Sequence, residues 1–242
     1  MKWRIFHKKE TVSTNLDARK GRSGDVFTAD FQSAGRGRLD HKWLSAPGDN
    51  LMMSVVLDVA DLPPEQVATL PLAVGLAVLR GLSPLLGLST DRASGRLALK
   101  WPNDVLVEGR KIAGILCERQ GDAVIAGLGV NVNQREFAAE IADRATSLAA
   151  HGCGVSVVAV RDSVLSALAE VYATWRGQGF AAVYPELAAF DFLRGRYLEV
   201  LQTDDDRSPV KGICGGIGED GSLQVGGVRV YAGEAHVTHL GV

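Results

Sequence analysis

The chain has 242 residues, 46% hydrophobic and 22% charged, enough for one sizeable core and a small appendage. Its 26 Lys and Arg against 28 Asp and Glu leave a formal charge of -2, so no global field draws it to nucleic acid or a membrane, and any anion site has to be local. No stretch approaches the ~20 apolar residues of a membrane span, the charged N-terminus Met1 to Glu10 has no long apolar run, and Cys117, Cys153 and Cys214 lack metal-ligand spacing; a reduced, cytoplasmic protein is expected.

Trp3 to His7 reads as a strand, and Val12-Ser13-Thr14-Asn15-Leu16 supplies three side chains able to cap a helix over Leu16 to Lys20. Capping alone accounts for Ser13 and Thr14 at this level. Val26 to Gln32 alternates as the next strand. Ser33 to Asn50 is a loop of about eighteen residues, beyond the roughly 12 to 15 after which a structureless loop is usually functional or disordered. It carries Gly35-Arg36-Gly37-Arg38. The glycines free the backbone to wrap an anion and the arginines offer planar forks to carboxylate or phosphate, a solvated basic loop being the plainer alternative. Leu51 to Val59 is a strand, and Pro63-Pro64-Glu65 opens a helical stretch to about Leu86, in which Pro71 starts a second helix or kinks the first. Ser89 to Gly95 is turn-like.

Leu97 to Trp101 leads into a hairpin whose apolar runs, Val105 to Val107 and Ile112 to Cys117, flank the turn Glu108-Gly109-Arg110. Lys111 is the oddity. A cation opening a buried strand needs an anionic partner or a way out to water along its own stem. Gly114 marks a bulge or the close approach of a backbone or ligand. Ala123 to Val132 is a strand with Gly127 and Gly129 on one face, which takes either a packed helix or a flat ligand. Asn131 and Asn133 follow, with amides suited to a ligand or a turn.

Val164, Leu165, Leu168, Val171, Tyr172 and Trp175 keep a helical period, ended by Gly177 and Gly179, and a second helix spans roughly Ala181 to Ala189. Beyond Arg194, short strands at Tyr197 to Gln202, Val210 to Ile217, Ser222 to Val225, Val228 to Ala232 and Ala235 to Leu240 suggest a small β-barrel. The acidic turn Asp204-Asp205-Asp206 reads as a solvated hairpin tip before a metal loop.

Five segments in order, Ser13-Thr14-Asn15, Gln32-Ser33-Ala34-Gly35-Arg36-Gly37-Arg38, Lys100-Trp101-Pro102-Asn103-Asp104, Arg110-Lys111-Ile112-Ala113-Gly114-Ile115-Leu116 and Gly127-Leu128-Gly129-Val130-Asn131-Val132-Asn133, together resemble the biotin protein ligases. Each is weak alone; their joint order is specific. One departure stands in the loop, where Asp40-His41 replaces a second Gly-Arg of the family pattern ahead of Trp43. The resemblance implies an α+β fold: a mixed sheet with flanking helices, related to class II aminoacyl-tRNA synthetase cores, over residues 1–193, then an SH3-like barrel over residues 194–242. Family members that also repress transcription carry an N-terminal winged helix-turn-helix. Here the catalytic motifs begin at once, so that module, and specific DNA binding with it, is expected to be absent.

The implied reaction joins biotin to ATP as biotinyl-5′-adenylate, then passes the biotinyl group to a lysine of the biotin carboxyl carrier protein of a biotin-dependent carboxylase. By resemblance Ser13, Thr14, Asn15 and Gln32 bind the ureido ring, and Gly127 with Gly129 forms a flat wall. Gly35, Arg36, Gly37, Arg38, Lys111 and Gly114 complete the biotin site. Arg36, Arg38, Trp43, Asn103, Lys111 and Asn131 border ATP, with Mg²⁺ carried on its phosphates. Lys111 and Arg38 are the implied catalytic cations, bridging two anions that repel. Asp104, also assigned to catalysis, holds Lys111 or the incoming lysine, or faces the adenosine. The loop Ser33 to Asn50 is the candidate lid over a water-sensitive adenylate. A lipoate or octanoyl ligase of the same fold and a non-catalytic biotin or nucleotide sensor are the alternatives, and the chain is a monomer or a homodimer.

Overall fold

The structure is a computed structural model and describes residues 1–38, 41, 43, 45–88, 95–202 and 208–238. Seven strands form one mixed sheet: β1 (Arg4–Thr11), β2 (Asp25–Gln32), β3 (Leu51–Asp58), β4 (Leu97–Lys100), β5 (Asp104–Val107), β6 (Arg110–Gln120) and β7 (Ala123–Val130), in the order β1-β2-β3-β7-β6-β5-β4. β1 and β2 run parallel and every other neighbouring pair is antiparallel. β3, with seven consecutive buried residues, lies inside the sheet between β2 and β7, which is why its sequence reads as an unbroken apolar run.

The long helices cover one face of the sheet, and the first, short helix packs on the other, its Ala18 against Val56 and Ile125. After α1 (Thr14–Ala18) and α2 (Pro64–Ala68) come α3 (Leu70–Leu82), which has Pro71 in its first turn, and α4 (Val157–Gln178). α3 contains Gly75 and Gly81, each of which costs a helix about 0.5–1 kcal/mol relative to Ala. A Cβ at Gly81 would stand 2.8 Å from Val164 Cα of α4, and one at Gly75 would strike the Leu99 side chain. The glycines let helix meet helix and helix meet sheet, and the packing offsets their cost. α4 is capped by Ser156, whose Oγ accepts from Ala159 N, and it ends at Gly179; Gly177 lies inside it. α5 is a short helix, Tyr184–Ala188.

The last five strands, β8 (Tyr197–Leu201), β9 (Val210–Ile217), β10 (Leu223–Val225), β11 (Val228–Val230) and β12 (Glu234–Val237), form an antiparallel sheet ordered β11-β10-β9-β8-β12. Its inward residues, among them Leu198, Cys214, Leu223 and Ala235, are continuous with the main core. Polar contacts tie the second sheet to the preceding part of the chain: Trp101 Nε1 donates to Gly221 O (3.1 Å), Tyr184 OH to Ile217 O (3.0 Å), and Ile217 N to the buried Asp191 carboxylate (2.8 Å). The Asp204 to Asp206 turn, most of Ser89 to Gly95, residues 39, 40, 42 and 44 of the long loop and the end of the last expected strand lie outside the described residues. Among the described residues no helix is long and apolar enough to cross a membrane.

Candidate active site

A cleft opens between one face of the main sheet and the start of β12 at Glu234 and Ala235. Its inner end is polar. Ser13 occupies the N-cap position of α1 yet makes no capping side-chain bond, and Thr14 and Asn15 are already helical. Their side chains turn inward instead. Gln32 Oε1 accepts from Thr14 N at 2.7 Å, and Ser54 Oγ of β3 lies 2.7 Å from Thr14 Oγ1 and 2.6 Å from Asn15 Oδ1. Asn15 Nδ2 donates to Glu118 Oε2 at 2.6 Å. The capping role anticipated for Ser13 and Thr14 thus gives way to a buried polar recess, in which Ser13, Thr14, Asn15 and Gln32 all line the cleft.

Next to the recess lies a wall without side chains. Gly114 of β6 is paired with Gly129 of β7, and Gly127 faces Ser54 of β3. In this structure the wall is covered: a Cβ at Gly129 would run into the Trp43 indole, one at Gly127 into the Asn15 amide, and one at Gly114 would lie 3.2 Å from Lys111 Nζ. Trp43 therefore stacks on the glycines. Its Nε1 is buried with no acceptor among the described residues. Within the loop, Trp43 N donates to Gly35 O (3.0 Å) and Gly37 N to His41 O (2.6 Å), so the two glycines let its arms pair closely. Gly37 lines the cleft; Gly35 packs against the Trp43 backbone and does not.

The outer end is cationic. The Glu108-Gly109 turn, both residues with positive φ (50° and 78°), joins β5 to β6. Along that hairpin Val105 pairs with Ala113 but Leu106 with Lys111, leaving Ile112 as the extra residue of a β-bulge. Because strand side chains alternate with period two, one inserted residue reverses the alternation. Lys111 thereby shares the cleft face with Gly114, and Ile112 is buried in the core. Lys111 Nζ stands 2.7 Å from Asp104 Oδ1, close but off the direction of a hydrogen bond, and 5.9 Å from the Trp43 ring centroid. The missing anionic partner of the sequence reading is Asp104.

Arg36 and Arg38 reach the cleft from the loop. Arg36 Nη1 is 3.7 Å from Glu118 Oε1 at the recess end. Arg38 donates from Nη1 to Asn103 Oδ1 (3.4 Å) and from Nη2 to Gly233 O (3.3 Å). Burial pushes the Arg38 guanidinium down from its ordinary value, against the raising pull of Asp104 and Glu234, and it stays charged throughout. Asn103 in turn donates to Ile115 O at 2.8 Å.

Asn131, for which the resemblance implied an ATP-bordering role, is buried, and its Nδ2 donates to Thr146 O at 2.9 Å. Thr146 belongs to a segment that carried no signal in the sequence. Its neighbours clamp the backbone of Lys111: Lys111 N donates to Arg144 O (2.7 Å) and Thr146 N to Lys111 O (2.9 Å). Asn131 thus stands one residue behind Lys111. Sequence reading also missed Ser54, hidden in an apolar run, Glu118, beyond the expected strand end, and Glu234, which lines the cleft from the second sheet.

Fold and cleft together define an α+β ligand-binding core rimmed by a small antiparallel sheet. Residues 4–134 match the Biotin/lipoate A/B protein ligase family. The chain is 35% identical over 96% of its length to the biotin--[acetyl-CoA-carboxylase] ligase of Mycobacterium tuberculosis, of which it covers 87%. It is 36% identical over 66% of its length to the bifunctional ligase/repressor BirA of Bacillus spizizenii, and spans about half that relative's length (49% is aligned). The biotin protein ligase of Aquifex aeolicus, solved with biotin and ATP, has a TM-score of 0.81 at 29% identity, over 97% of this chain and 98% of that one. The chain belongs to the Biotin/lipoate A/B protein ligase family.

Proposed function

We propose that the chain couples biotin to ATP as biotinyl-5′-AMP and transfers the biotinyl group to a lysine of a biotin carboxyl carrier protein domain. The observation that carries this reading is one cleft with a polar recess at one end and Lys111 and Arg38 about Asp104 at the other. A cyclic urea suits the recess, an apolar ring suits the glycine wall once Trp43 yields or shares it, and a carboxylate then points toward the cations.

In the first step a biotin carboxylate oxygen attacks the α-phosphorus, the α–β P–O bond breaks and pyrophosphate leaves. Lys111 and Arg38 stabilise the charge that builds on the bridging atoms, where fixed cations act most strongly. In the second step the acceptor amine attacks the acyl carbon, loses its proton and displaces AMP. Mg²⁺ would arrive on the triphosphate and share its charge. Among the described residues no three His, Cys, Asp or Glu cluster as a cation site. Residues 1–193 carry this chemistry in the proposal, and residues 194–242 close one side through Gly233 to Ala235.

The test is biotin-dependent pyrophosphate release together with labelling of a carrier domain, run in parallel with lipoate and octanoate. Transfer of biotin alone is the expected result. Transfer of lipoate or octanoate would favour the sister activity, and tight biotin binding without pyrophosphate release would leave a sensor.

A further inference from the structure

We infer that Lys100, a cation that lines the cleft beyond Asp104, receives the pyrophosphate that leaves ATP in the first step. The inference rests on the biotin reading of the cleft and adds to it the place where the leaving group is held.

The register of the sheet sets the direction. Gly129 of β7 pairs with Gly114 of β6, Gly114 with Asp104 of β5, and Asp104 with Lys100 of β4. Residues directly opposite one another in an antiparallel sheet share a face. One row therefore runs from the bare glycine wall through Asp104 to Lys100, and all four residues line the cleft. Leu97 and Leu99, which alternate with Lys100 along β4, point the other way into the core. The Lys100 stem begins two strand spacings from Gly114, roughly 10 Å. A ring seated on the glycine wall brings its carboxylate to Lys111, whose Nζ lies beside Gly114. In a displacement at phosphorus the attacking and leaving oxygens stand roughly in line. Attack from the glycine end thus breaks the α–β P–O bond on the side of Asp104 and Lys100, and pyrophosphate takes the electron pair away in that direction.

Charge assigns Lys100 the same task. At the outer end of the cleft Arg38 and Lys111 are balanced by Asp104 and Glu234, while Arg36 stands at the recess end near Glu118. Lys100 tips the outer end positive, where a polyanion has to be held. Two plainer roles for it are already filled. Lysines often keep a sheet edge from pairing with another chain, but the edge at β4 is closed by its own chain: Leu99 N donates to Phe190 O (2.7 Å) and Phe192 N to Leu99 O (3.0 Å). The carboxylate opposite Lys100, that of Asp104, holds Lys111 Nζ at 2.7 Å.

The test separates the two half-reactions. Lys100→Met keeps an unbranched stem and removes the charge. Run backward from biotinyl-5′-AMP and inorganic pyrophosphate at fixed Mg²⁺, this variant should need about 10- to 100-fold more pyrophosphate for half-maximal ATP formation, the loss of one hydrogen bond between charged groups. Forward adenylate formation should slow by a similar factor. Calorimetric affinity for biotin and transfer from preformed biotinyl-5′-AMP to a carrier domain should change little, because pyrophosphate takes part in neither. Lys100→Arg, which keeps a phosphate-binding cation, should recover most of the loss. An unchanged pyrophosphate requirement in Lys100→Met would overturn the inference. Equal losses in both half-reactions would overturn it too and make Lys100 a structural residue or a ligand of the adenylate. A wild type that forms no biotinyl-5′-AMP would sink the biotin reading and this inference with it.

Discussion

The ammonium of Lys111 sits 2.7 Å from the Asp104 carboxylate across the β5–β6 hairpin. The bulge at Ile112 brings the two to one face, and Arg144 and Thr146 hold the Lys111 backbone from the far side. The side chain is thus aimed before any ligand arrives. Asp104→Asn keeps the shape but removes the charge that holds Nζ, and a displacement of about 1 Å at a reacting group can cost ~10²-fold in rate. Turnover should fall by that order while the melting temperature moves little. Unchanged turnover would show that Asp104 does not position Lys111.

Gly129→Val should weaken biotin binding more than it weakens folding. The new side chain would occupy the place of the Trp43 indole and push it off the glycine wall, leaving the core behind β7 as it was. Tryptophan emission should shift toward exposed indole. Intact biotin affinity with a lowered melting temperature would assign Gly129 to packing alone.

Asn131→Ala strips the Thr146 carbonyl of its buried donor. Leaving such a group unpaired costs about 1–3 kcal/mol. Because Thr146 also clamps Lys111, kcat should fall more than the KM for biotin rises. A large rise in the KM for ATP with kcat preserved would assign Asn131 to the nucleotide site that the sequence resemblance gave it.

Asp58, at the end of β3, pairs with Arg176 of α4 at 2.7 Å. Burial raises its pKa, but the Arg176 hydrogen bond, the Ala60 N–H and the Arg176 charge outweigh burial and hold it below the ordinary 3.8. A depressed carboxyl stabilises the fold above its unfolded value and stops doing so as pH falls through the folded one. Both side chains are more than a third exposed, so the pair is worth at most about 1 kcal/mol. In urea titrations Asp58→Asn should be less stable than wild type at pH 7, with the gap closing below 3.8. A gap that persists at pH 3 would show the contribution to be packing.

What could be read from the chain, and what could not, divides by physical cause. Pro71 starting a helix, the Glu108-Gly109 turn and the apolar run of β3 are local signals, and each stands where local chemistry put it. The partner of Lys111 was a stated need that a spacing of seven residues could not resolve, since a bulge decides which face Lys111 takes. Thr14 and Asn15 looked like caps because their other partners, Ser54 and Glu118, are 39 to 103 residues away. Glu118 looked like a solvated strand end and Ser54 like a gap in a core strand. Residues 134–148 have no periodicity and became meaningful only by pairing with Lys111.

The measurement closest to the central claim is biotin-dependent pyrophosphate release by Lys111→Ala, with circular dichroism on the same sample. Lys111 is the cation that the hairpin bulge, Asp104 and the 144–146 segment together aim at the cleft. Its charge is needed most in the transition state. Release should be nearly abolished with the spectrum unchanged. Release within a few-fold of wild type from a folded variant would contradict the account and make Lys111 a structural ion-pair partner.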